Sequence, residues 1–250
     1  MDYQVALVTG ATGDIGKAIA QELVKNGMKV VITGRNQEKL NKLASELKDG
    51  VVYYDTFDIN DYEAMKKFYQ DVKDQGITID VLVNNAGLAL GLAGYQDNEV
   101  SDIITMLDTN IKSVALLSHL VLQDMKLANH GHIIHIGSVA GQFAYANGAI
   151  YCASKAAVKT MADGMRVDLV QSDIKITTIQ PGMVETNFSM VRFKGDKAKA
   201  DAVYQGIDAL QPIDCANAVW FCLNQPKRCQ ISELTLLANQ QGNAFTSYKK

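Results

Sequence analysis

Cysteine, proline and excess positive charge are all scarce in this sequence of 250 residues. The four cysteines form no CxxC pair, so neither a disulfide framework nor a zinc site is indicated. The formal net charge of -3 gives no basic surface that would attract nucleic acid or an anionic membrane. No apolar run approaches about 18 residues, and "MDYQ" leads directly into a strand-like run, so we expect no membrane span and no secretion signal. These absences favour small-molecule partners and a cytoplasmic location.

Short β-branched runs alternate with stretches of helical periodicity along the whole chain. The strand-like runs are "VALVTG", "KVVITG", "VVYYD", "IDVLVNNAG", "HIIHIGS", "IKITTIQPG" and "ISELTLLA". Helical periodicity covers 15–26, 36–48, 60–75, 97–129, 151–171 and a stretch through "CANAVWFCLNQ". This order predicts an α/β fold, a single-domain Rossmann-type doubly wound parallel sheet over 1–250 with helices on both faces. The polar insertion at about 185–209 is expected to be a substrate lid.

A glycine-rich turn, "TGATGDIG" at residues 9–16, follows the first predicted strand. It leads into a helix, whose free N–H groups and dipole favour a phosphate. Its spacing is GxxGxxG rather than the commoner GxGxxG. We expect Asp14, in its middle, to cap free N–H groups of the first helical turn while pointing away from the phosphates. The alternative is that Asp14 repels a cofactor and the turn binds none.

A tyrosine stands four residues before a lysine in "YEAMK", "YQDVK" and "YCASK". The first two lie on a charged helix and are interpreted as solvated surface pairs. The third pair, Tyr151 and Lys155, follows Ser138, which ends a predicted strand where a parallel sheet opens onto a ligand crevice.

Several motifs together resemble the short-chain dehydrogenase/reductase family in order and spacing. They are "TGATGDIG", "NNAG" at 84–87, "DTN" ending at Asn110, Ser138, Tyr151 with Lys155, and "PGMVET" at 181–186. The resemblance implies that Tyr151 is the general acid/base, with a phenol pKa lowered toward neutrality by Lys155 and an oxidised nicotinamide. It also implies that Ser138 polarises the substrate oxygen, that Lys155 holds the nicotinamide ribose, and that Asn110 holds a water linking Lys155 to solvent.

The end of the second predicted strand indicates which nicotinamide cofactor is used. Gly34 stands where an acid would bind a ribose 2′-hydroxyl, and Arg35 follows with a fork suited to a 2′-phosphate, so NADP(H) is favoured. Asn36 stands where related sequences often have a second arginine. The cofactor contacts implied by the resemblance are Gly10, Thr12, Gly13, Asp14, Ile15, Gly16, Arg35, Asn36, Asp58, Ile59, Asn85, Ala86, Gly87, Tyr151, Lys155, Pro181, Gly182, Val184 and Thr186.

Longer segments, above all "VRFKGDKAKADAVYQ", resemble the NADP-dependent 3-hydroxy acid (serine 3-) dehydrogenase branch of that family. The branch implies hydride transfer between NADP(H) and a small 3-hydroxy acid or its semialdehyde or oxo partner. Besides Ser138 and Tyr151, the charged Arg192 and Lys194 are candidates for binding the substrate carboxylate; the alternative is a solvated surface. Two other functions stay open: reduction of a bulkier ketone or aldehyde, and NADP(H) sensing without catalysis.

Two further features concern metals and assembly. His132 and His135 are predicted on opposite faces of one strand, so we expect no metal site there. The helices near 100–129 and 151–171 carry apolar residues around much of their circumference, more than one sheet contact needs. This favours a homo-oligomer, a dimer or a tetramer.

Overall fold

A parallel sheet of seven strands lies at the centre of the computed structural model, which describes residues 3–249. The strands are β1 (Val5–Val8), β2 (Lys29–Gly34), β3 (Val51–Thr56), β4 (Val81–Asn84), β5 (Gly131–Ile136), β6 (Ile174–Pro181) and β7 (Glu233–Leu236). Their order is β3-β2-β1-β4-β5-β6-β7, and all neighbouring pairs are parallel. The chain therefore reverses its direction of winding between β1 and β4, where an open α/β sheet has its ligand crevice. The predicted fold class is confirmed.

Helices connect the strands on both faces of the sheet. They are α1 (Asp14–Lys25), α2 (Gln37–Leu47), α3 (Tyr62–Asp74), α4 (Val100–Leu107), α5 (Ser113–Ala128), α6 (Ala149–Asp168), α7 (Phe188–Arg192), α8 (Lys197–Tyr204) and α9 (Pro212–Leu223). The prediction of one helix over 97–129 is wrong in detail. A π-helical turn, Asp108–Lys112, divides it into α4 and α5. Segment 185–209, predicted only as a polar insertion, contains α7 and α8.

Both faces of the sheet are buried because successive strand residues enter opposite cores. Ala6 and Val8 of β1 pack in the core that contains Ile19 of α1, whereas Leu7 packs in the core that contains Leu117 of α5. This is the period-two alternation of a strand between two layers of helices. The two helical layers leave the carboxyl ends of the strands open on one side.

Two histidines of β5 are fully buried and have different partners. His132 Nε2 lies 2.8 Å from Thr177 Oγ1, and His135 Nδ1 lies 3.2 Å from Asn84 Nδ2. Burial lowers the pKa of His132 to about 3 and that of His135 to about 4. Both rings are therefore neutral in the folded protein at pH values where an unfolded histidine takes up a proton.

We expect acid to destabilise the protein through these two rings. An unfolded histidine titrates near 6.5, so below that pH the unfolded chain binds more protons than the folded one. Going from pH 7.5 to 5.5 should then lower the free energy of unfolding by about 1 kcal/mol for each buried histidine. Urea unfolding at the two pH values measures the effect. His135→Gln should remove part of this pH dependence and His119→Gln, at an exposed position, should not; equal pH dependence in all three proteins would contradict the assignment.

Candidate active site

The carboxyl ends of the central strands open into one cavity of about 670 Å³. Its wall includes every residue predicted to contact a cofactor: Gly10, Thr12, Gly13, Asp14, Ile15, Gly16, Arg35, Asn36, Asp58, Ile59, Asn85, Ala86, Gly87, Tyr151, Lys155, Pro181, Gly182, Val184 and Thr186. Ser138 and Arg192 line it as well, but Asn110 and Lys194 do not. The cavity thus brings together residues from six strand ends and from segment 185–209.

The glycine turn, residues 9–16, packs too tightly for side chains at two of its glycines. Gly10 has a φ of +63°, a conformation that favours glycine, and a Cβ on Gly16 would lie 2.4 Å from the Gly10 carbonyl oxygen. The N-cap residue of α1 is Gly13, and no side-chain hydrogen bond caps the helix there within residues 3–249. N–H groups of the first turn are therefore left free beside the cavity. A bare turn at a helix N-terminus fits the phosphates of a dinucleotide.

The Asp14 side chain does not have the partner that we expected. Its Oδ2 accepts a hydrogen bond from the backbone N–H of Asn187, with 2.7 Å between the two atoms. The prediction that Asp14 caps its own helix is therefore wrong, because its carboxylate is turned toward segment 185–209.

Two cations lie beyond the end of β2, Arg35 directly after the strand and Lys39 in the first turn of α2. Arg35 and Lys39 are both exposed and line the cavity, and within the described residues neither side chain has an ion pair. Asn36 acts as the N-cap of α2, since its Oδ1 accepts a hydrogen bond of 2.8 Å from the Lys39 N–H. Sequence reasoning missed Lys39, although a cation one helical turn beyond Arg35 was visible in "RNQEK".

Tyr151, Lys155 and Ser138 meet at the buried end of the cavity. Tyr151 and Lys155 stand one turn apart on α6, and the Lys155 Nζ is 5.9 Å from the centre of the Tyr151 ring. The same Nζ donates a 3.0 Å hydrogen bond to the Ile136 carbonyl, which fixes the lysine at the end of β5. Ser138 follows β5 after one residue, Gly137, and its hydroxyl is near enough to the Tyr151 phenol to act on the pKa of that phenol.

The protein's own groups raise the pKa of the Tyr151 phenol, so the predicted lowering, which also involves an oxidised nicotinamide, stays a prediction for the complex with cofactor. Burial raises the pKa of Tyr151, and the nearby Ser138 hydroxyl and the charge of Arg192 only partly oppose it. Burial also lowers the pKa of Lys155 to about 8. Tyr151 is only 9% exposed, so its anion would lose most of its hydration. In the protein alone, Tyr151 is therefore a neutral phenol and a proton donor.

Asn110 lies behind this cluster, in the π-helical turn, and is buried. Its Oδ1 accepts from the Leu88 N–H at 2.9 Å, and its Nδ2 donates to the Leu88 carbonyl at 2.8 Å and to Ser154 Oγ at 3.0 Å. The amide therefore anchors the loop after β4 to α6. That Asn110 holds a water beside Lys155 stays a prediction.

The two basic residues predicted to bind substrate have different surroundings. The Arg192 guanidinium lies 5.5 Å from the centre of the Tyr145 ring and 5.7 Å from that of Tyr151, and its Nε donates to the Gly91 carbonyl at 3.1 Å. Lys194 instead pairs with Asp102 at 2.8 Å, with its side chain 58% exposed. The structure does not support a substrate role for Lys194. It adds Tyr145, whose ring supports Arg192.

Residues 3–249 lack both a metal-binding cluster and a membrane-spanning helix. This part of the chain contains no group of three or more His, Cys, Asp or Glu side chains that could hold a metal ion. None of its helices combines the length and the apolar character needed to cross a bilayer.

Known proteins resemble the chain along nearly its whole length. A family model described as short chain dehydrogenase matches residues 4–197. The NADP-dependent 3-hydroxy acid dehydrogenase YdfG of Escherichia coli (strain K12) is 41% identical over 241 residues, 96% of this chain and 97% of the relative. Serine 3-dehydrogenase of Rhizobium radiobacter is 39% identical over 246 residues, 98% of each chain.

Solved structures agree with these sequence relatives. The closed form of serine dehydrogenase complexed with NADP+ has a TM-score of 0.94 and 40% identity, covering 99% of this chain and 100% of that one. Serine dehydrogenase from Escherichia coli has a TM-score of 0.84 and 36% identity, covering 96% of this chain and 100% of that one. The fold, the cavity and these matches lead to one conclusion: the chain belongs to the short-chain dehydrogenase family.

Proposed function

We propose that this chain is an NADP(H)-dependent oxidoreductase that transfers a hydride between the cofactor and a small 3-hydroxy acid or its semialdehyde or oxo partner. The observation that carries the proposal is the convergence of Ser138, Tyr151 and Arg192 at one end of the cavity. Ser138 and Tyr151 supply a hydroxyl pair for the reacting oxygen, and Arg192 supplies a cation for a carboxylate. The names of the relatives from Escherichia coli and Rhizobium radiobacter support this substrate class.

The walls of the cavity support NADP(H) as the cofactor. The glycine turn offers helix N–H groups to the diphosphate. Arg35 and Lys39 offer unpaired positive charge at the end of β2, where Gly34 provides no carboxylate to repel a 2′-phosphate. The bound cofactor supplies or accepts the hydride at the nicotinamide ring.

The protein's residues would handle the proton and the substrate oxygen. The Ser138 hydroxyl donates a hydrogen bond to the carbonyl oxygen and polarises it. In reduction, the neutral Tyr151 phenol donates its proton to that oxygen as negative charge develops there. In oxidation the same phenol must lose its proton first, which requires positive charge in the cleft because burial opposes the phenolate. Lys155, held by the Ile136 carbonyl, is the nearest protein ammonium on the same helix.

Arg192 is positioned to bind a substrate carboxylate. Its Nε donates a hydrogen bond to the Gly91 carbonyl, and its guanidinium lies over the Tyr145 ring. A guanidinium has five N–H donors in a planar fork, so donors are left for a carboxylate. The Tyr145 and Tyr151 rings hold that fork beside the reacting end of the cleft.

Replacing Arg192 by glutamine should discriminate between substrate classes. We expect KM for a 3-hydroxy acid to rise about 10- to 100-fold, because a charge-assisted bond of roughly 1.5–3 kcal/mol is lost. A carboxylate-free alcohol or ketone of similar size should lose much less. Initial rates from the absorbance of NADPH measure both, and Lys194→Gln is the matched control with an unchanged KM. Equal losses on both substrates would favour the bulkier ketone or aldehyde as substrate.

Surface features and free thiols bear on the assembly and location of the protein. Apolar side chains are exposed on α4 (Val100 and Ile104), on α5 (Leu127) and on or just after α6 (Val167 and Val170). We propose that these helices form the interfaces of a homodimer or homotetramer. Light scattering would measure the mass of the assembly.

We also propose that the chain functions as one domain with 185–209 as its lid. Its location would be the cytoplasm, where its four free cysteines would stay reduced. Residues 1, 2 and 250 of that domain lie outside the described part.

A further inference from the structure

One hydrogen bond joins the glycine turn to segment 185–209, and both of its residues line the cavity. It runs from the Asn187 N–H to the Asp14 carboxylate, between residues that are 173 positions apart in the chain. Asp14 is the first residue of α1, and Asn187 directly precedes α7. The two ends of the bond therefore belong to the glycine turn and to the residue that precedes α7, the helix that lies against Tyr151.

The position of α7 determines what lies against Tyr151. Phe188, the first residue of α7, has its ring centre 5.7 Å from that of Tyr151, and Arg192, the last residue, lies 5.7 Å from the same ring. A helix of this length has little hydrogen bonding of its own to keep it in place. Two hydrogen bonds between Arg192 and Gly91 hold its C-terminal end, and the bond at Asn187 is the attachment at its N-terminal end, next to Phe188.

We propose that Asp14 is a positioning residue that fastens segment 185–209 over the cleft through the Asn187 N–H. We name this contact, between the Asp14 carboxylate and the Asn187 N–H, the clasp. It links the glycine turn to the N-terminal end of α7, whose first residue, Phe188, lies against Tyr151. The clasp is a property of the protein alone and is independent of which hydroxy acid is the substrate. Its effect on cofactor affinity rests on the proposed function.

The clasp explains why an acid is tolerated in a turn that faces phosphates. A carboxylate there repels a diphosphate, so repulsion alone predicts tighter cofactor binding when Asp14 is replaced. Attachment of the lid by Asp14 predicts weaker cofactor binding when Asp14 is replaced, because a lid without this contact lets the cofactor leave more easily. The two effects of Asp14 have opposite signs, and a single substitution separates them.

Limited trypsin digestion of the protein without cofactor tests the clasp directly. Segment 185–209 contains four cleavage sites, after Arg192, Lys194, Lys197 and Lys199. We expect Asp14→Ala to be cleaved there about 5- to 10-fold faster, the change for one lost hydrogen bond of about 1 kcal/mol or slightly more. An unchanged cleavage rate in Asp14→Ala would overturn the proposal. Thermal melting of each variant shows that the fold is intact.

Two substitutions at Asn187 provide a matched pair. Asn187→Pro removes the N–H donor, and the φ of -66° at this position is the one proline requires. Asn187→Ala keeps the N–H and removes only the side chain. We expect fast cleavage in Asn187→Pro and slow cleavage in Asn187→Ala. The double variant of Asp14→Ala with Asn187→Pro should be cleaved no faster than either single variant, because both remove one contact; additive rates would overturn the clasp.

Titration with NADPH, followed by its fluorescence, completes the test. Asp14→Ala should bind NADPH about 5- to 10-fold more weakly if fastening dominates. Tighter binding with an unchanged cleavage rate would show that Asp14 acts only by repulsion, and would overturn the proposal. If the wild-type protein bound no NADPH, the proposed function would fail, while the digestion results would still decide the clasp.

Discussion

Replacing Tyr151 with phenylalanine is expected to lower kcat by about 10³-fold in both directions, within the range for loss of a general acid or base. The change removes one oxygen and keeps the ring, so the packing of residue 151 against Phe188 is retained. Ser138 would still bind the substrate oxygen, but no phenol would donate the proton. NADPH affinity should change by less than about 3-fold, because the phenol contributes one contact among many. Single-turnover absorbance measures the chemical step, and NADPH fluorescence measures binding.

Tyr95→Phe is the control for this substitution, since Tyr95 is exposed and its change also removes one phenol oxygen. Full activity in the Tyr151 variant would contradict its role as the acid. A wild-type protein that binds NADPH tightly but turns over none of a panel of hydroxy acids, ketones and aldehydes would instead support NADP(H) sensing. The neutral phenol makes a further point testable: without cofactor, no tyrosinate absorbance from Tyr151 should appear near neutral pH.

Arg35→Leu should lower kcat/KM for NADPH by about 100-fold, the effect of losing a charge-assisted contact of up to roughly 3 kcal/mol to a 2′-phosphate. NADH lacks that phosphate, so its kcat/KM should change by less than about 3-fold. Lys39→Gln should show the same selectivity with a smaller loss, because an ammonium is a point charge without the bidentate fork. Initial rates with NADPH and NADH, side by side, give the ratio.

Arg228→Leu is the matched control, because Arg228 is exposed and does not line the cavity. Similar losses with both cofactors in Arg35→Leu would indicate a structural role for Arg35. A wild-type preference for NADH would contradict the proposed cofactor. Since Asn36 is occupied as the cap of α2, Lys39 is the second cation available at this end of the cleft.

The fold could be predicted from local patterns because strand and helix periodicities are properties of neighbouring residues. The β1 residues alternate between two cores, and the glycine turn must lie between a strand and a helix. Helix ends, too, were predicted to within a few residues. The division of the 97–129 helix was missed because apolar residues surround it and hide any change of phase, and because a π-helical turn has no strong local signal.

The predictions for Asp14 and Lys194 failed for one physical reason. Asp14 bonds to a residue 173 positions away, and Lys194, between α7 and α8, pairs with Asp102 of α4. Sequence shows the charge of such residues but not which distant group the folded chain brings to them. The pKa of the Tyr151 phenol is likewise hidden from the sequence, because it depends on burial by elements that lie far from Tyr151 along the chain.

The strand order has a consequence for how such a protein can diversify. Cavity residues between positions 10 and 59 lie at the end of the cavity that contains Arg35. Those between positions 138 and 204 include Ser138, Tyr151 and Arg192, the residues proposed to bind substrate at the other end. After a gene duplication, one copy can therefore accumulate changes in its later codons and acquire a new substrate without disturbing its choice of dinucleotide. The contact between the Asp14 carboxylate and the Asn187 N–H joins these two regions, and because it uses the backbone at residue 187, a descendant can change the side chain there more freely than it can change Asp14.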